Sequence, residues 1–113
     1  MVENRERNIV YKNIIVTGGS KGIGAEIVQS LAMLGHNVIL NYNNSEKQAL
    51  DMQETLKKKG IRIELFKADV SKFEDTKKLS EFAINKLKNI EVLINNAGIS
   101  QSKLFTEITE NDL

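Results

Sequence analysis

Short β-branched runs alternate along this chain with segments whose apolar residues repeat at helical spacing, and this alternation constrains the fold more than any other feature. Strands are predicted over Asn13–Thr17, Asn37–Tyr42, residues 61–65 and residues 91–94, with helical periodicity in each of the three intervals. Strands that alternate with helices are typical of βαβ units, which build a parallel sheet with helices on both faces. We therefore predict an α/β fold with a doubly wound parallel sheet of about four strands and three helices.

Glycines and capping residues indicate where the predicted helices begin and end. Gly35 and Gly60 follow the first and second helical segments, as expected of residues that end helices. Ser45 and Ser71 each precede a Gln or Glu by three positions, a spacing that predicts capping boxes at the second and third helices. For the first helix, the periodicity predicts an inward stripe of Ile23, Ile27, Leu31 and Leu34, widened by Val28 and Ala32.

The charge balance and the absence of cysteine exclude several classes of function. Among 113 residues, 16 are Lys or Arg and 15 are Asp or Glu, so the formal net charge is +1. That balance provides no field to hold nucleic acid or an anionic membrane, and a chain without cysteine has no disulfide and no thiolate metal site. The charged N-terminal residues do not resemble a secretory signal, and no apolar run reaches membrane-spanning length. We predict a cytoplasmic protein with no metal, no nucleic-acid partner and no membrane partner.

Four glycines lie in the stretch IIVTGGSKGIGAE, where the first strand passes into the first helix. A helix that begins here directs free N–H groups and the positive end of its dipole towards the turn, an arrangement that suits phosphate. The spacing of Gly18, Gly22 and Gly24 matches neither G-x-G-x-x-G nor a P-loop, since Lys21 precedes the second glycine. By itself, the turn indicates either a phosphate-binding loop or a packing turn without a ligand.

Three motifs in a fixed order make the interpretation more specific. TGGSKGIG follows the first strand, Asp69-Val70 follows the third, and NNAG follows the fourth. Together they resemble the N-terminal half of the short-chain dehydrogenases/reductases, over a range from about Lys12 to Leu113. Within that family, the stretches VTGGSKGIG, VILNY, KADVS and VLINNAGIS are most similar to 3-oxoacyl-(acyl-carrier-protein) reductases of bacterial fatty-acid biosynthesis. Residues 101–105 depart from the commonest form of that subgroup, so a reductase of another ketone, sugar or alcohol is the alternative.

The resemblance implies that residues 1–113 are the N-terminal part of a single Rossmann-like NAD(P)-binding domain. It also implies roles for individual residues towards the cofactor. The diphosphate would lie on the glycine loop, Asp69 would accept a hydrogen bond from the adenine amine, Val70 would cover the ring, and the NNAG motif would let the cofactor pass close to the backbone. The residues implied in cofactor binding are Gly18, Ser20, Lys21, Gly22, Ile23, Gly24, Asn41, Tyr42, Asn43, Ser45, Asp69, Val70, Asn96, Ala97 and Gly98.

Several of these residues also have an interpretation that needs no ligand. Thr17 ends a strand and its hydroxyl can tie the turn, Lys21 can be a solvated loop lysine, and Asp69 can be a solvated acid outside a helix cap. For Asn95 the expected role is structural, in holding the sheet. The isolated His36 is interpreted as a solvated connector, and the run Lys57–Lys59 as a helix C-terminus.

Charge at the end of the second strand predicts which dinucleotide is bound. Family members that prefer NAD carry an acid there, which accepts hydrogen bonds from the adenosine ribose and would repel a 2′-phosphate. Residues 41–45 contain no acid, and Lys21 supplies a cation in the glycine loop. The predicted cofactor is therefore NADP(H).

The family's proton donor is a Tyr with a Lys four residues later, and this chain does not contain that pair. Ile15 follows Tyr11 at that distance, and Glu46 follows Tyr42, so we assign no catalytic residue. Thr109 with Asp112 resembles the start of a further helix, and from this we expect the chain to be truncated. The resemblance implies that the intact protein is a homo-oligomer acting on an acyl-carrier-protein-linked or other small carbonyl substrate. Alternatively, the chain is a non-catalytic dinucleotide-binding remnant or a fragment too unstable to bind.

Overall fold

The computed structural model describes residues 10–96, and within them strands and helices alternate as predicted. In chain order the elements are β1 (Asn13–Thr17), α1 (Gly22–Met33), β2 (Asn37–Tyr42), α2 (Glu46–Lys58), β3 (Glu64–Lys67), α3 (Phe73–Leu87) and β4 (Val92–Asn95). The predicted Ala97 and Gly98 contacts and the further helix near Thr109 lie outside the described residues.

All four strands are parallel, in the spatial order β3-β2-β1-β4. The chain therefore builds outwards from β1 through β2 to β3 and then returns to place β4 on the other side of β1. Ile14 of β1 pairs with Val38 on one side and with Val92 on the other. This reversal of direction at β1 creates a crevice at the carboxyl ends of β1 and β4, the position at which open α/β sheets bind ligands.

Two apolar cores cover the two faces of the sheet, as the doubly wound prediction requires. On one face, Ile14 and Val16 of β1 pack with residues of α1 and α2, including Val28 and Met52. On the other face, Ile15 and Ile39 pack against Leu79 and Ala83 of α3. Since successive residues of β1 point to opposite faces, a strand buried on both sides must be apolar throughout.

The inward stripe of α1 differs from the prediction. The buried positions are Gly24, Val28 and Ala32, whereas Ile23 is 71% exposed and Leu34 is 65% exposed. Gly24, Val28 and Ala32 are spaced four apart and so lie on one face, which the helix packs against the sheet. Ile27 and Leu31 lie beside this face and are only partly buried.

The third strand begins three residues later than its alternating pattern predicts. Ile61 N–H donates to the Leu56 carbonyl at 2.9 Å, and the Gln53 side chain donates to the Ile63 carbonyl at 3.0 Å. These bonds hold residues 61–63 against the end of α2, and pairing with β2 starts only at Glu64 opposite Ile39. Ile63 is nevertheless buried in the core.

Neither predicted capping box forms. Ser45 precedes α2 with φ −102° and ψ 52°, outside the extended geometry of a capping residue, and its side chain makes no capping hydrogen bond. At α3 the capping position is Lys72, one residue later than predicted, because the Ser71 hydroxyl donates to Asp69 Oδ1 at 2.6 Å. The glycines at the helix ends behave as predicted, with φ of 99° at Gly35 and 79° at Gly60.

His36 lies in the connector between α1 and β2, as predicted, but it is only partly solvated. Its Nδ1 accepts a hydrogen bond from the Lys12 main-chain N–H at 3.0 Å, and its ring meets that of Tyr11 edge to face, with centroids 6.2 Å apart. The imidazole is half-buried at the amino end of β2, far along the strand from the glycine loop. Over residues 10–96, no helix has the length and apolar character needed to cross a membrane.

Candidate functional site

The glycine loop joins β1 to α1 at the crevice, and its backbone takes a form that only glycine adopts easily. Gly18 and Gly22 have φ of 64° and 63°, in the left-handed region where a Cβ is unfavourable. A Cβ at Gly24 would lie against the Gly18 carbonyl oxygen and 2.7 Å from Asn96 Nδ2. The glycines therefore allow the turn and bring the start of α1 close to the end of β4.

The N-terminus of α1 is left open towards the crevice. Lys21 occupies the capping position with extended backbone and no side-chain capping bond, and the first turn contains no acid. The first N–H groups of a helix lack partners within it and carry the positive end of its dipole. Lys21 and Ile23, on either side of the first helical residue, are exposed, whereas Ser20 is buried. An anion can approach without displacing a cap.

The end of β4 is tied to the glycine loop by side chains. Asn96 N–H donates to Thr17 Oγ1 at 3.0 Å, and Asn96 Nδ2 donates to the Gly18 carbonyl at 2.9 Å. Thr17 Oγ1 in turn donates to Asn95 Oδ1 at 3.1 Å. The expected structural roles of Thr17 and Asn95 therefore have a geometric basis. Asn96 lies at the mouth of the crevice, where it also holds the turn at Gly18.

The four residues predicted at the end of β2 and just after it separate into two groups. Asn43 is exposed, whereas Asn41, Tyr42 and Ser45 are buried. The Tyr42 hydroxyl donates to Glu46 Oε1 at 3.3 Å, and burial together with this carboxylate raises the pKa of the Tyr42 phenol. Glu46, the first residue of α2, is thus an acid beside the predicted adenosine region. The residues predicted near the adenosine end at Ser45, so Glu46 was not among them, although it lies four residues after Tyr42 in the sequence.

Asp69 heads the loop between β3 and α3. Its Oδ1 accepts hydrogen bonds from the Ser71 hydroxyl at 2.6 Å and from the Ser71 N–H at 3.0 Å. These bonds lower the pKa of the Asp69 carboxyl, since they favour its charged form. The Asp69 N–H donates to Asp75 Oδ2 at 2.8 Å, a contact that no sequence motif indicated. Val70 is buried among the residues of the α3 core.

The structure therefore brings the glycine loop, the end of β2, the Asp69 loop and Asn96 to one edge of the sheet. Backbone N–H groups and a lysine suit phosphate, and a carboxylate with one oxygen turned to Ser71 suits an amine donor. Within residues 10–96, no group of His, Asp or Glu has the arrangement of a metal site. His36 and the run Lys57–Lys59 lie outside this edge, Lys57 and Lys58 being in the last turn of α2.

Comparison with known proteins identifies the family. The family model for short chain dehydrogenases matches residues 12–113. The chain is 35% identical over 101 residues to the 3-oxoacyl-[acyl-carrier-protein] reductase FabG of Staphylococcus epidermidis, a match over 89% of the chain. It is 33% identical over 110 residues to the hydroxynaphthalene reductase-like protein Arp2 of Metarhizium guizhouense, a match over 97% of the chain. This chain therefore belongs to the short-chain dehydrogenase/reductase family.

Solved structures agree with this fold. A dehydrogenase/reductase from Sinorhizobium meliloti matches 91% of the chain and 50% of its own, with a TM-score of 0.81 and 24% identity. A blue fluorescent protein from a metagenomic library, solved in complex with NADPH, matches 91% of the chain and 52% of its own, with a TM-score of 0.78 and 26% identity. The chain spans 41% of the length of both curated relatives.

Proposed function

We propose that the intact protein is an NADPH-dependent reductase that converts 3-oxoacyl-(acyl-carrier-protein) to its 3-hydroxyacyl form in fatty-acid biosynthesis. The match to FabG supports this substrate class, and family membership supports oxidoreductase chemistry. The observation that carries the proposal is the open N-terminus of α1 above two left-handed glycines at the reversal point of the sheet. Such a site provides backbone donors and positive charge for a dinucleotide diphosphate.

The residues present fit a dinucleotide. A Cβ at Gly24 would occupy the space between α1 and Asn96. The glycine therefore leaves room for the cofactor to contact the backbone closely. When bound, NADPH would supply the hydride for carbonyl reduction. The role we propose for this chain is to hold the diphosphate on the glycine loop and the adenine beside Asp69, which orients the cofactor. The proton donor that the family resemblance implies is absent from this sequence, so no catalytic residue is proposed within it.

The preference for NADP(H) rests on charge at the adenosine end. Lys21 is exposed beside the opening, and residues 41–45 contain no acid. Glu46 opposes this preference, but its carboxylate accepts a hydrogen bond from the Tyr42 hydroxyl. We expect the attraction between Lys21 and a 2′-phosphate to exceed the repulsion from Glu46, because the Glu46 carboxylate is already hydrogen-bonded to Tyr42. The NADPH-bound relative is consistent with this choice.

A titration of the purified chain with NADPH and NADH tests cofactor choice. We expect NADPH to bind more tightly by about tenfold or more, corresponding to one charge-assisted contact with the 2′-phosphate. Lys21→Gln should remove most of that preference, whereas Lys77→Gln, an exposed lysine of α3, should leave it unchanged. Equal or tighter binding of NADH by the unaltered chain would refute the proposed preference.

A second candidate substrate class is an aromatic or other small ketone. The match to a hydroxynaphthalene reductase-like protein extends over more of the chain than the match to FabG, at similar identity. Assays of the complete reading frame that contains this chain, with an acetoacetyl thioester and with a hydroxynaphthalene-type ketone, distinguish the two. Cofactor binding without turnover of either would favour a non-catalytic dinucleotide-binding protein.

The remaining assignments follow from the same proposal. The intact protein would act in the cytoplasm, as a homo-oligomer, on an acyl-carrier-protein-linked or other small carbonyl substrate, without a nucleic-acid or membrane partner. The near-neutral charge of the chain supports the last point. Size-exclusion chromatography with light scattering on the complete protein tests the oligomeric state.

A further inference from the structure

The side chain of Asn41 lies in the protein interior, at the point where the carboxyl ends of β1, β2 and β3 meet. The residue is only 2% exposed. A buried amide requires partners for both its oxygen and its nitrogen, because an unpaired polar group in the interior is costly. Its position as the penultimate residue of β2 places those partners on the strands at either side.

The two ends of the Asn41 amide bond two different loops. Oδ1 accepts a hydrogen bond from the Gly18 N–H at 3.3 Å, on the glycine loop. Nδ2 donates to the Ala68 carbonyl at 3.1 Å and to the Phe66 carbonyl at 3.3 Å, immediately before Asp69. The Asn41 main-chain carbonyl also accepts from Gly19 N–H at 3.0 Å. One residue thus connects the loop after β1 to the loop after β3.

Few side chains can replace this amide. It must accept on one side and donate on the other, which an amide does and an ionised carboxylate does not. An aliphatic residue would leave the Gly18 N–H and the Ala68 carbonyl without these partners. Asn41 makes its contacts with protein backbone, so its side chain is not available to the cofactor in this arrangement.

We propose that Asn41 is a positioning residue that fixes the separation of the glycine loop from the Asp69 loop, and so sets affinity for ligands that span both. This inference rests on the proposed function, in which the glycine loop holds the diphosphate and Asp69 holds the adenine. A ligand that contacts both loops requires the correct separation between them, whereas a ligand that contacts one loop does not. The predicted signature is therefore a difference between spanning and non-spanning ligands.

The experiment compares Asn41→Asp with the unaltered chain, using NADPH as the spanning ligand and adenosine as the ligand that carries no phosphate. At neutral pH we expect the Kd for NADPH to rise about tenfold or more, since the two hydrogen bonds donated to the Phe66 and Ala68 carbonyls are lost and both carbonyls face a carboxylate. The Kd for adenosine should change by less than about twofold, on the same scale of interaction energies. Asn37→Asp is the matched control, because Asn37 is an exposed asparagine at the opposite end of the same strand.

Acidification tests whether the loss of NADPH affinity comes from the missing hydrogen-bond donor. A protonated carboxyl can again donate to the Ala68 carbonyl while accepting from Gly18 N–H, so NADPH affinity of Asn41→Asp should recover relative to the unaltered chain as pH falls. The partners of Asn41 are backbone groups; titratable side chains flank it at Tyr42 on β2, Lys67 on β3, Lys21 in the glycine loop and Asp69 in the β3–α3 loop. Measuring the unaltered chain at each pH accounts for their titration.

Each outcome decides between the alternatives. Unchanged NADPH affinity, equal losses for both ligands, or no recovery on acidification would overturn the positioning role. If circular dichroism shows that Asn41→Asp does not fold, Asn41→Ser carries the comparison, with the same split between ligands expected. If the unaltered chain binds adenosine but not NADPH, or binds neither, the cofactor-holding role proposed for this chain fails and the inference with it.

Discussion

A few neutral polar side chains hold the proposed binding edge together. Each of them makes a hydrogen bond with a backbone group, and none forms an ion pair. Thr17, Asn41 and Asn96 each join the glycine loop or its strand to a neighbouring element. Hydrogen bonds between side chains and backbone of this kind contribute modestly one at a time, but a partner removed from a buried site leaves an unsatisfied group. The precision of the loop therefore depends on a few neutral residues.

Gly24→Ala tests whether the close approach of α1 to Asn96 matters. The added Cβ would contact the Gly18 carbonyl and Asn96 Nδ2, so the helix must shift away from the end of β4. We expect the free energy of unfolding to fall by about 1–3 kcal/mol, as for other overpacked sites, and NADPH to bind more weakly. Denaturant unfolding and a fluorescence titration measure the two effects.

Gly60→Ala is the control for this substitution. Gly60 has φ of 79° and open space around it, at the far end of α2. The alanine there should cost about 1 kcal/mol of stability through backbone strain and leave NADPH affinity unchanged. Wild-type affinity in Gly24→Ala would show that the approach of α1 to Asn96 does not shape the site.

At the scale of elements, the loop between β3 and α3 is organised by Asp69 and Ser71 rather than by a helix cap. Ser71→Ala removes the hydroxyl donor at 2.6 Å from Asp69 Oδ1 but retains the N–H donor. Because these bonds lower the pKa of Asp69 below its ordinary value of 3.8, the variant should raise that pKa towards 3.8 without fully restoring it. A carbon-detected NMR titration of the carboxyl measures the change directly.

The sign of the effect on stability follows from the direction of the shift. A carboxyl whose pKa is lowered in the folded state stabilises the fold when ionised, and this contribution is lost as pH falls through the folded pKa. Ser71→Ala should therefore be less stable than the unaltered chain near neutral pH, and the difference should shrink at an acidic pH at which Asp69 is protonated in the folded chain. A difference of equal size at both pH values would assign the loss to packing instead.

The sequence predicted the central elements better than the peripheral ones, for physical reasons. β1 and β2 have their predicted bounds because a strand buried on both faces leaves a continuous apolar run, here IIV in β1 and VIL in β2. The predicted start of β3 was wrong because Ile61 and Ile63 alternate like strand residues, whereas their backbone groups form hydrogen bonds with Leu56 and Gln53 of α2. The capping box predicted at Ser71 was wrong because a serine spacing does not reveal that the Ser71 hydroxyl donates to Asp69.

The candidate site was predictable in its location but not in its internal bonds. Parallel strands place their carboxyl ends together, so the glycine loop, Asp69 and Asn96 had to meet at one edge. The sequence does not show whether the Asn41 side chain points towards the cofactor site or into the interior, because this depends on which face of the sheet is covered at the end of β2. In the folded chain its amide is hydrogen-bonded to the backbone of Gly18, Phe66 and Ala68.

At the scale of the whole molecule, the proposed binding edge lies within this chain, whereas the proton-donating motif that the family resemblance implies does not. The crevice between β1 and β4 and the loops that surround it lie within residues 10–96. The motif that the family resemblance implies for proton donation, a Tyr with a Lys four residues later, occurs nowhere in the 113 residues. The chain also spans 41% of the length of its curated relatives. Cofactor binding and turnover can therefore be tested separately.

We expect the 113-residue chain alone to bind NADPH but not to oxidise it in the presence of an acetoacetyl thioester. Hydride transfer to a carbonyl requires a proton donor for the developing alkoxide, and general acid catalysis of this kind contributes on the order of 10²–10⁴-fold. The measurement is the loss of NADPH absorbance, with a FabG relative as positive control and NADPH fluorescence to confirm binding. Sustained turnover by the chain would show that a residue among these 113 donates the proton, and the two tyrosines, Tyr11 and Tyr42, would be the first to substitute.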